Sequence, residues 1–579
     1  VDARFKDKVL MPGFIDPHIH PSLPAVLTQF AFLAPDDWTL PTGEFPGALT
    51  HEDYVSSLKK LATKHEDQEV PFVCWGYHQL WHGDVRRPLL DELFPDLPVV
   101  IWHRSFHELI LNSAALKQLG VEKDKVADHH EVDWDGGHFW ENGGKLLMPY
   151  MAFMFAPERY GQGMDNFLEM MHLGGVTTGL DMGIGIFGDA PGEIALIRKT
   201  AEETEAPARL VLTPLITDFL ARKKTIPEAM AEIDEWRAGN SRRVKVDRHF
   251  KIMMDGAIFS GLSQMAAPGY LDGHDGQWMA PVEVTSKWAQ GFWNAGYKIH
   301  AHTNGDKSAD AMIEILQRCL DEKPRWDHRF TLEHFAYTTE DQNRKLKALG
   351  AVVSANPYYQ FILSDIYSER WLGSDRGKQM VRLGSLERLG VPFALHSDCP
   401  MGPLDPLMLA WTACNRVTIN GNQNAEAERI SVEAAMRGIT IDAAWVMGWE
   451  DRIGSIRAGK MADFAVLEQD PFEVGAEGLK DIDVWGVVFE GEPHPVSAAG
   501  ETPKVKTGWK PSAPSALAHL NDITPAFSQY DPLSVSPQQP ERFDARRPFR
   551  SSTHVHTPSC NCRLSSLLAL AYRAAQTSR

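Results

Sequence analysis

The sequence contains few cysteines and no long apolar run. Its six cysteines are scattered over 579 residues, too few for the disulfide framework of a secreted domain. No apolar run approaches the roughly 18 residues that a membrane span needs. No basic segment followed by an apolar one, as in a secretory signal, precedes the first predicted strand. We therefore expect a cytoplasmic protein that does not associate with membranes.

Basic residues are also scarce relative to acidic ones. The chain has 58 Lys and Arg against 77 Asp and Glu, a formal net charge of −19. Nucleic-acid binding needs a basic surface that neutralises phosphates, so a nucleic-acid partner is excluded. The hydrophobic content of 43% is typical of a globular chain with a large core. The length allows several domains or one large barrel with additions.

Histidine is abundant, with 23 residues, and several histidines follow apolar runs. Apolar runs that are bounded by Pro or Gly and end in polar residues are typical of buried parallel strands. Eight such runs, several of them separated by helical patterns, predict an α/β fold of the (β/α)8 barrel type rather than an open sheet. The predicted strands are Phe14–His20, Gly175–Asp181, Arg209–Thr213, Phe250–Asp255, Tyr297–His302, Phe330–His334, Ala351–Ala355 and Pro392–Asp398.

The remaining segments are predicted to surround this barrel. Residues 11–450 form the barrel, and about 21–173 form an inserted subdomain because they are too many for a simple strand-to-helix connection. Residues 451–508 contain short strands and are predicted to form a small β-layer together with residues 1–10. Residues 509–579 are rich in Ser, Pro, Ala and Gln, a composition that predicts disorder.

Two histidines end the first predicted strand. Residues two apart on a strand point to the same side, so His18 and His20 both face the mouth of the barrel. Imidazole is the commonest metal ligand, and this pair is suited to one ion. The His-x-His pattern is common on strands, however, and a purely structural role for the pair is equally open.

Other predicted strands also end in histidine or aspartate. His300 and His302 end the fifth strand, His334 the sixth, and Asp398 the eighth. Any one of these residues is more often a hydrogen-bonded core or surface residue than a ligand. Four strand ends that carry such residues at one face of a barrel together indicate a catalytic metal centre.

Lys251 lies inside the apolar fourth strand, where a charged side chain is costly unless it is paired or neutralised. In one interpretation its aliphatic stem reaches the barrel rim, or its ammonium group pairs with Asp255. In the other, CO2 converts it to a carbamate, a carboxylate that bridges two metal ions.

Together these motifs resemble the metal-dependent amidohydrolase superfamily, and within it the YtcJ-like branch, amidohydrolase family 3. The resemblance extends over roughly residues 1–495. It implies a (β/α)8 TIM barrel with a long insertion after strand 1 and a small β-sandwich layer formed by the flanking sequence. Members of the family normally begin with several strands of this layer, so we expect its N-terminal part to be missing here. The segments that carry the resemblance are 9–20, 97–116, 174–183, 250–257, 302–306, 331–334, 396–400 and 454–471.

The resemblance also implies roles for the candidate metal ligands. His18 and His20 match the ligands of a first metal ion, and His302 and His334 match those of a second. Lys251 matches a lysine that is carboxylated in many relatives and bridges the two ions.

Three further residues receive weaker or different roles from the same resemblance. Asp398 matches an aspartate that contacts metal-bound water and transfers its proton. His107 matches a histidine of the insert that reaches toward the substrate, whereas His300 is left as a neighbouring or structural residue. His396 departs from the pattern, because relatives more often carry a small residue before the Ser-Asp pair.

The predicted function is metal-dependent hydrolysis of an amide-like, non-peptide C–N bond in a small molecule. Metal-bound hydroxide attacks the carbonyl, and Asp398 transfers the proton to the leaving amine. The donors suit one or two divalent ions, with zinc as the expected metal. Two alternatives remain: an ester or lactone hydrolase with the same metal site, and a catalytically silent barrel that acts as a binding scaffold. The assembly is open between a monomer and a homodimer.

Overall fold

The computed structural model describes residues 3–496, apart from 107, 141–142, 145, 187–189 and 205. His107 and the segment 509–579 therefore lie outside the described residues, and the predictions made for them stay predictions. In the part of the chain that is described, no helix is both long and apolar enough to cross a lipid bilayer.

The described chain alternates strands and helices through most of its length. In chain order the strands are β1 (Val9–Pro12), β2 (Phe14–Ile19), β3 (Ala31–Phe32), β4 (Trp38–Leu40), β5 (Gly43–Phe45), β6 (Phe72–Tyr77), β7 (Val99–His103), β8 (Glu108–Leu111), β9 (Val132–Asp133), β10 (His138–Trp140), β11 (Val176–Ile184), β12 (Arg209–Pro214), β13 (Val244–Val246), β14 (His249–Met253), β15 (Lys298–Thr303), β16 (Thr331–His334), β17 (Val352–Ala355), β18 (Phe393–Leu395), β19 (Phe464–Leu467), β20 (Val484–Phe489) and β21 (Glu492–Pro495).

The α-helices lie mainly between the strands of the barrel and in the insert. They span Ser22–Leu27, His51–Ala62, Gln79–His82, Arg87–Leu93, Ser113–Leu119, Lys123–Val126, Pro157–Leu173, Ala190–Glu203, Ile216–Ala221, Ile226–Ala238, Val282–Asn294, Asp306–Glu322, Glu340–Leu349, Tyr358–Arg370, Ser374–Gly377, Leu383–Leu389, Pro406–Asn415, Val432–Gly438, Ile441–Met447 and Pro471–Gly478. Short 3₁₀ helices span Ala3–Phe5, Met148–Phe155, Ile258–Ser260, Glu426–Glu428 and Leu479–Asp481.

Two parallel sheets form the wall of a barrel. One has the strand order β13-β12-β11-β2, and the other runs from β14 to β18 in chain order. A parallel bridge between Ile19 and Cys399 joins β2 to the segment after β18, and a second between Leu215 and Lys251 joins the segment after β12 to β14. With β13 and β14 as two parts of the fourth strand, the eight predicted strands are confirmed and the fold is a (β/α)8 barrel.

The barrel strands are buried on both faces because helices cover the outside and side chains fill the inside. All six residues of β2 are buried, and so are all nine of β11. This explains why the strands appear in the sequence as nearly continuous apolar runs rather than as alternating patterns.

A separate six-stranded sheet, outside the barrel wall, is formed by the long segment between β2 and β11. Its strand order is β3-β6-β7-β8-β10-β9, with parallel pairing among the first three strands and antiparallel pairing among the rest. The side chains of this sheet and of the helix His51–Ala62 form a core of their own, which includes Tyr54, Leu90 and Ile101.

A small antiparallel sheet with the order β1-β19-β20-β21 joins the start of the described chain to its end. Residue 10, where the predicted barrel boundary falls, lies inside β1. Gly13 separates β1 from β2, and its N–H donates to the carbonyl of Asp463 at 2.9 Å. A Cβ at this position would lie 2.2 Å from Oγ1 of Thr177, so the close approach requires glycine.

Candidate metal centre

The predicted ligands meet at one end of the barrel, where the carboxyl ends of parallel strands lie side by side. Nε2 of His18 lies 3.4 Å from Oδ1 of Asp398, and Nε2 of His20 lies 3.2 Å from the same oxygen. In this group of three, the ligand atoms all lie within 4.8 Å of one another. A second group with the same spacing consists of His18, His334 and His396.

Left-handed backbone conformations place two of these side chains. His334 ends β16 with φ of 72°, and Asp398 follows β18 with φ of 58°. Residues other than glycine adopt such conformations at a cost of about 1–3 kcal/mol, and these conformations cluster at functional sites. They turn the chain away from the strand direction, so that His334 Nδ1 lies 3.4 Å from Oδ2 of Asp398.

A buried carboxylate connects two histidines beneath the site. Glu333 accepts a hydrogen bond from Nδ1 of His18 at 2.7 Å and another from Nδ1 of His300 at 2.7 Å. All three side chains are fully buried. Because Nδ1 of His18 is engaged, its Nε2 is the nitrogen that is available to a metal ion.

His300 points away from the candidate ligands. Its Nε2 lies 2.8 Å from Nδ1 of His249, and its other nitrogen contacts Glu333. The structure therefore gives His300 a structural position next to the site.

Lys251 lies within the site and is 1% exposed. Its Nζ is 3.5 Å from Nε2 of His18. Burial lowers the pKa of Lys251 to about 8, although the nearby carboxylates of Glu333, Asp398 and Asp181 favour its charged form. A stem that reaches the barrel rim is not observed.

The predicted pairing of Lys251 with Asp255 is also not observed. Asp255 instead accepts hydrogen bonds from the backbone N–H groups of Gln264, Asn304 and Gly305 and from the hydroxyl of Ser308. These contacts fix the loop after β14 against the loop after β15, which leaves Lys251 free to face the site.

His302 occupies a different position from the other predicted ligands. Its ring contacts that of His334, with the centroids 4.2 Å apart, and its Nε2 lies 2.9 Å from Nδ2 of Asn304. Among the described residues, His302 belongs to neither of the two groups with ligand spacing. The structure thus brings all six predicted ligands to one end of the barrel, with His302 next to His334 but outside the two groups with ligand spacing.

A cavity lies directly above these residues and encloses about 880 Å³, part of it open to solvent. His20, Lys251, His302, His334 and Asp398 contribute to its floor. Most of the remaining wall is apolar and comes from Leu23, Phe106, Met182, Ile186, Leu215, Met253, Ile258, Phe259 and Met401. The cavity can therefore hold a small molecule with an apolar substituent against the candidate ligands.

Several residues near the site had no role in the sequence analysis. Tyr359 lines the cavity, and its hydroxyl donates to Oδ2 of Asp398 at 3.2 Å. Asp181 lies within β11 with Oδ1 3.9 Å from Nδ1 of His20, and burial raises its pKa to about 7. The strand end Leu180-Asp181 carried a signal similar to that of the other strands, whereas Tyr359 lies in a helix and had none.

The donors present fit a divalent ion such as zinc. Imidazole nitrogens and a carboxylate are the ligands that zinc prefers. Within the described part of the chain, the buried Nε2 atoms of His334 and His396 have no hydrogen-bond partner. Buried polar atoms are rarely left without a partner, and an ion would satisfy them.

Comparison with known proteins agrees with this fold. A sequence model described as "Amidohydrolase family" matches residues 1–494, and the chain belongs to that family. The chain is 24% identical over 520 residues to N-substituted formamide deformylase from Arthrobacter pascens, with 85% of this chain and 89% of the relative covered. It is 23% identical over 507 residues to putative amidohydrolase YtcJ from Bacillus subtilis, with 84% and 88% covered.

A solved structure also shares the fold. It is an uncharacterized metal-dependent hydrolase from Pyrococcus horikoshii, with a TM-score of 0.60 and 19% sequence identity. The match covers 81% of this chain and 88% of that protein. The predicted resemblance to the YtcJ-like branch and the predicted barrel are therefore confirmed, and the chain is an amidohydrolase.

Proposed function

We propose that this amidohydrolase cleaves the C–N bond of a small, uncharged amide that carries an apolar substituent. The observation that carries the proposal is that Nε2 of His18 and Nε2 of His20 lie 3.4 Å and 3.2 Å from the same oxygen of Asp398. His20 and Asp398 also line a mostly apolar cavity. The walls exclude water from an apolar substituent of the substrate. The floor supplies the groups that polarise its carbonyl and protonate its leaving nitrogen.

Metal binding would involve the imidazoles and the Asp398 carboxylate at this floor. When bound there, a zinc ion acts as a Lewis acid that polarises a carbonyl and makes water more acidic. The pairing of Nδ1 of His18 with Glu333 supports this role, because it keeps the lone pair of Nε2 directed at the site.

Asp398 is the proposed proton carrier. It takes a proton from the attacking water as the C–O bond forms, and it donates that proton to the amine nitrogen as the C–N bond breaks. The products are a carboxylic acid and an amine, so the proton count balances. Tyr359 supports this role by holding Oδ2 of Asp398, which leaves Oδ1 toward His18 and His20.

The name of one relative favours an amide over an ester as the substrate. N-substituted formamide deformylase from Arthrobacter pascens covers nearly the whole chain, and its name describes an amide with a substituted nitrogen. The apolar wall of the cavity can accommodate such a substituent. We therefore propose N-substituted formamides and related small amides as the first substrates to test.

The test is a hydrolysis screen of N-alkyl and N-aryl formamides, with aryl esters and lactones of similar size as the comparison. We expect amide hydrolysis that is lost on chelation, restored by zinc, and at least 100-fold slower in Asp398→Asn. Faster turnover of the esters would contradict the amide assignment. Full activity in Asp398→Asn would contradict its role as proton carrier.

Carboxylation of Lys251 stays a prediction. Addition of CO2 to the neutral amine forms a carbamate with loss of one proton, at a point 3.5 Å from Nε2 of His18. Lys251→Ala is expected to lose metal if that carbamate is a ligand. Full metal content and activity in Lys251→Ala would contradict the role.

A further inference from the structure

We propose that His396 is a metal ligand of this chain, bound through Nε2 to the same ion as His18 and His334. The proposal rests on the metal-dependent function above but adds a ligand to the site. It also assigns a role to a residue at which this sequence departs from the expected pattern.

The position of His396 supports direct binding. Its side chain is fully buried, and its ring centroid lies 4.5 Å from that of His18 and 5.4 Å from that of His334. One nitrogen of each of these three rings lies within 4.8 Å of the others. Such spacing is close to that of donors around one ion, since zinc–nitrogen bonds are about 2.0–2.1 Å long.

The hydrogen bonds of His396 leave one nitrogen for a ligand. Nδ1 lies 2.8 Å from Oγ of Ser354, which can accept its proton, and 3.7 Å from Oε2 of Glu333, whose negative charge favours the proton on this nitrogen. Nε2 then has a lone pair, and among the described residues it has no hydrogen-bond partner. Most buried polar side-chain atoms in proteins have a hydrogen-bond partner, and a bound ion would supply one for this nitrogen.

His18 has the same arrangement. Its Nδ1 donates to Glu333 at 2.7 Å, and its Nε2 is the available nitrogen. Glu333 thus lies next to Nδ1 of both rings, at 2.7 Å in His18 and 3.7 Å in His396. A carboxylate behind the ring is typical of metal-binding histidines.

His302 does not supply the same donor. Its Nε2 lies 2.9 Å from the side-chain amide of Asn304. His396 therefore provides the imidazole that completes a set of three with His18 and His334.

The test compares wild-type protein with His396→Gln, which keeps the size of the side chain but removes the imidazole. His328→Gln is the matched control, because His328 is also buried in the barrel and pairs with the carbonyl of Leu349 at 3.0 Å, away from the site. The measurements are zinc affinity by chelator competition and the visible spectrum of the protein loaded with Co²⁺.

We expect His396→Gln to bind zinc at least ten-fold more weakly and to shift the Co²⁺ spectrum, while His328→Gln matches wild type. An unchanged affinity and spectrum in His396→Gln would overturn the proposal. If His396→Gln does not fold, a crystal structure of the zinc-loaded wild type shows whether His396 binds the ion. Nε2 of His396 at about 2.1 Å from zinc supports the proposal, and a distance beyond 3 Å overturns it.

The two proposals fail in different ways. Wild-type protein that binds no metal in the presence of zinc contradicts both the proposed function and the ligand assignment. Wild-type protein that binds zinc and hydrolyses amides, with His396→Gln indistinguishable from it in affinity and spectrum, contradicts only the assignment of His396.

Discussion

The carboxylate of Glu333 orients the ring of His18 through a 2.7 Å hydrogen bond to Nδ1. Both side chains are fully buried, so water does not substitute for this contact. A carboxylate in this position fixes which nitrogen carries the proton and raises the basicity of the other.

Glu333→Gln is therefore expected to weaken zinc binding by about 10–100-fold, since an outer carboxylate contributes that much to affinity. The measurement is the zinc dissociation constant from chelator competition at neutral pH. Glu314→Gln, on the exposed face of the helix Asp306–Glu322, is the control and should leave the constant unchanged. Equal affinities for wild type and Glu333→Gln would show that the contact does not orient His18.

Removal of the Tyr359 hydroxyl is expected to slow turnover more than it weakens substrate binding. The hydroxyl donates to Oδ2 of Asp398, so Tyr359→Phe leaves that carboxylate less well oriented without changing the cavity wall. We expect kcat to fall by about 10-fold, less than the roughly 10²–10⁴-fold that a general acid–base group itself contributes, while KM changes little.

The control for this change is Tyr54→Phe. Tyr54 is buried in the insert, and its hydroxyl has no hydrogen-bond partner among the described residues. Steady-state kinetics of both variants should separate a local effect on Asp398 from a general effect of losing a buried hydroxyl. A kcat for Tyr359→Phe equal to that of Tyr54→Phe would argue against the role of Tyr359.

Arg104 connects the insert to the barrel, and its loss is expected to destabilise the protein. Its buried guanidinium donates to the hydroxyl of Tyr358 at 2.6 Å and to the carbonyl of Met401 at 3.2 Å, and it lies 3.5 Å from Asp36. Arg104→Met leaves the charge of Asp36 without a cation, at a cost of about 3–5 kcal/mol.

Urea unfolding measures this cost, and Arg237→Met on a half-exposed ion pair is the control, with an expected change of about 1 kcal/mol or less. The double variant Arg104→Met with Asp36→Asn should recover part of the loss, because no charge is then left buried. A loss below about 1 kcal/mol in the single variant would mean that the charge of Asp36 is not compensated by Arg104.

The stability of the protein should depend on pH through Glu169. Burial raises the pKa of Glu169 to about 7, and the nearby Asp165 adds to the effect. The unfolded chain loses this proton near pH 4.5, whereas the folded protein keeps it until about pH 7. Stability therefore falls as the pH rises between these values, and the penalty is complete above pH 7.

Glu169→Gln removes this penalty. The variant should be more stable than wild type at pH 8, by about 1–3 kcal/mol, and close to wild type at pH 5. Thermal unfolding at the two pH values is the measurement, and Glu158→Gln, an exposed residue of the same helix, should show no such difference. An equal change in Tm at both pH values would contradict the raised pKa.

The barrel was predictable from the sequence because its strands are buried on both faces. Consecutive apolar residues, as in the RLVLTP of β12, distinguish them from surface strands, and polar residues mark where they end. The clustering of His18, His20 and Asp398 followed from the rule that parallel strands end at the same mouth.

The function of Glu333 was not predictable in the same way. In a regular strand, adjacent residues point to opposite faces, so Glu333 and His334 cannot both turn toward one centre. The left-handed φ of 72° at His334 removes this restriction, and nothing in the sequence marks that conformation at a histidine. The position of His396 beside His18 also depends on the closure of the barrel, not on local sequence.

The bridge between Ile19 and Cys399 brings the first and the last strand of the barrel together. His18 and Asp398 are separated by nearly the full length of the barrel in the chain, yet they contribute to one group of donors. During synthesis, the nascent chain has no complete donor set until the eighth strand has left the ribosome and met the first. An ion that binds the complete donor set would stabilise the closed barrel relative to the open chain. Newly made molecules that have bound an ion would then resist proteolysis better than molecules whose barrel is still open.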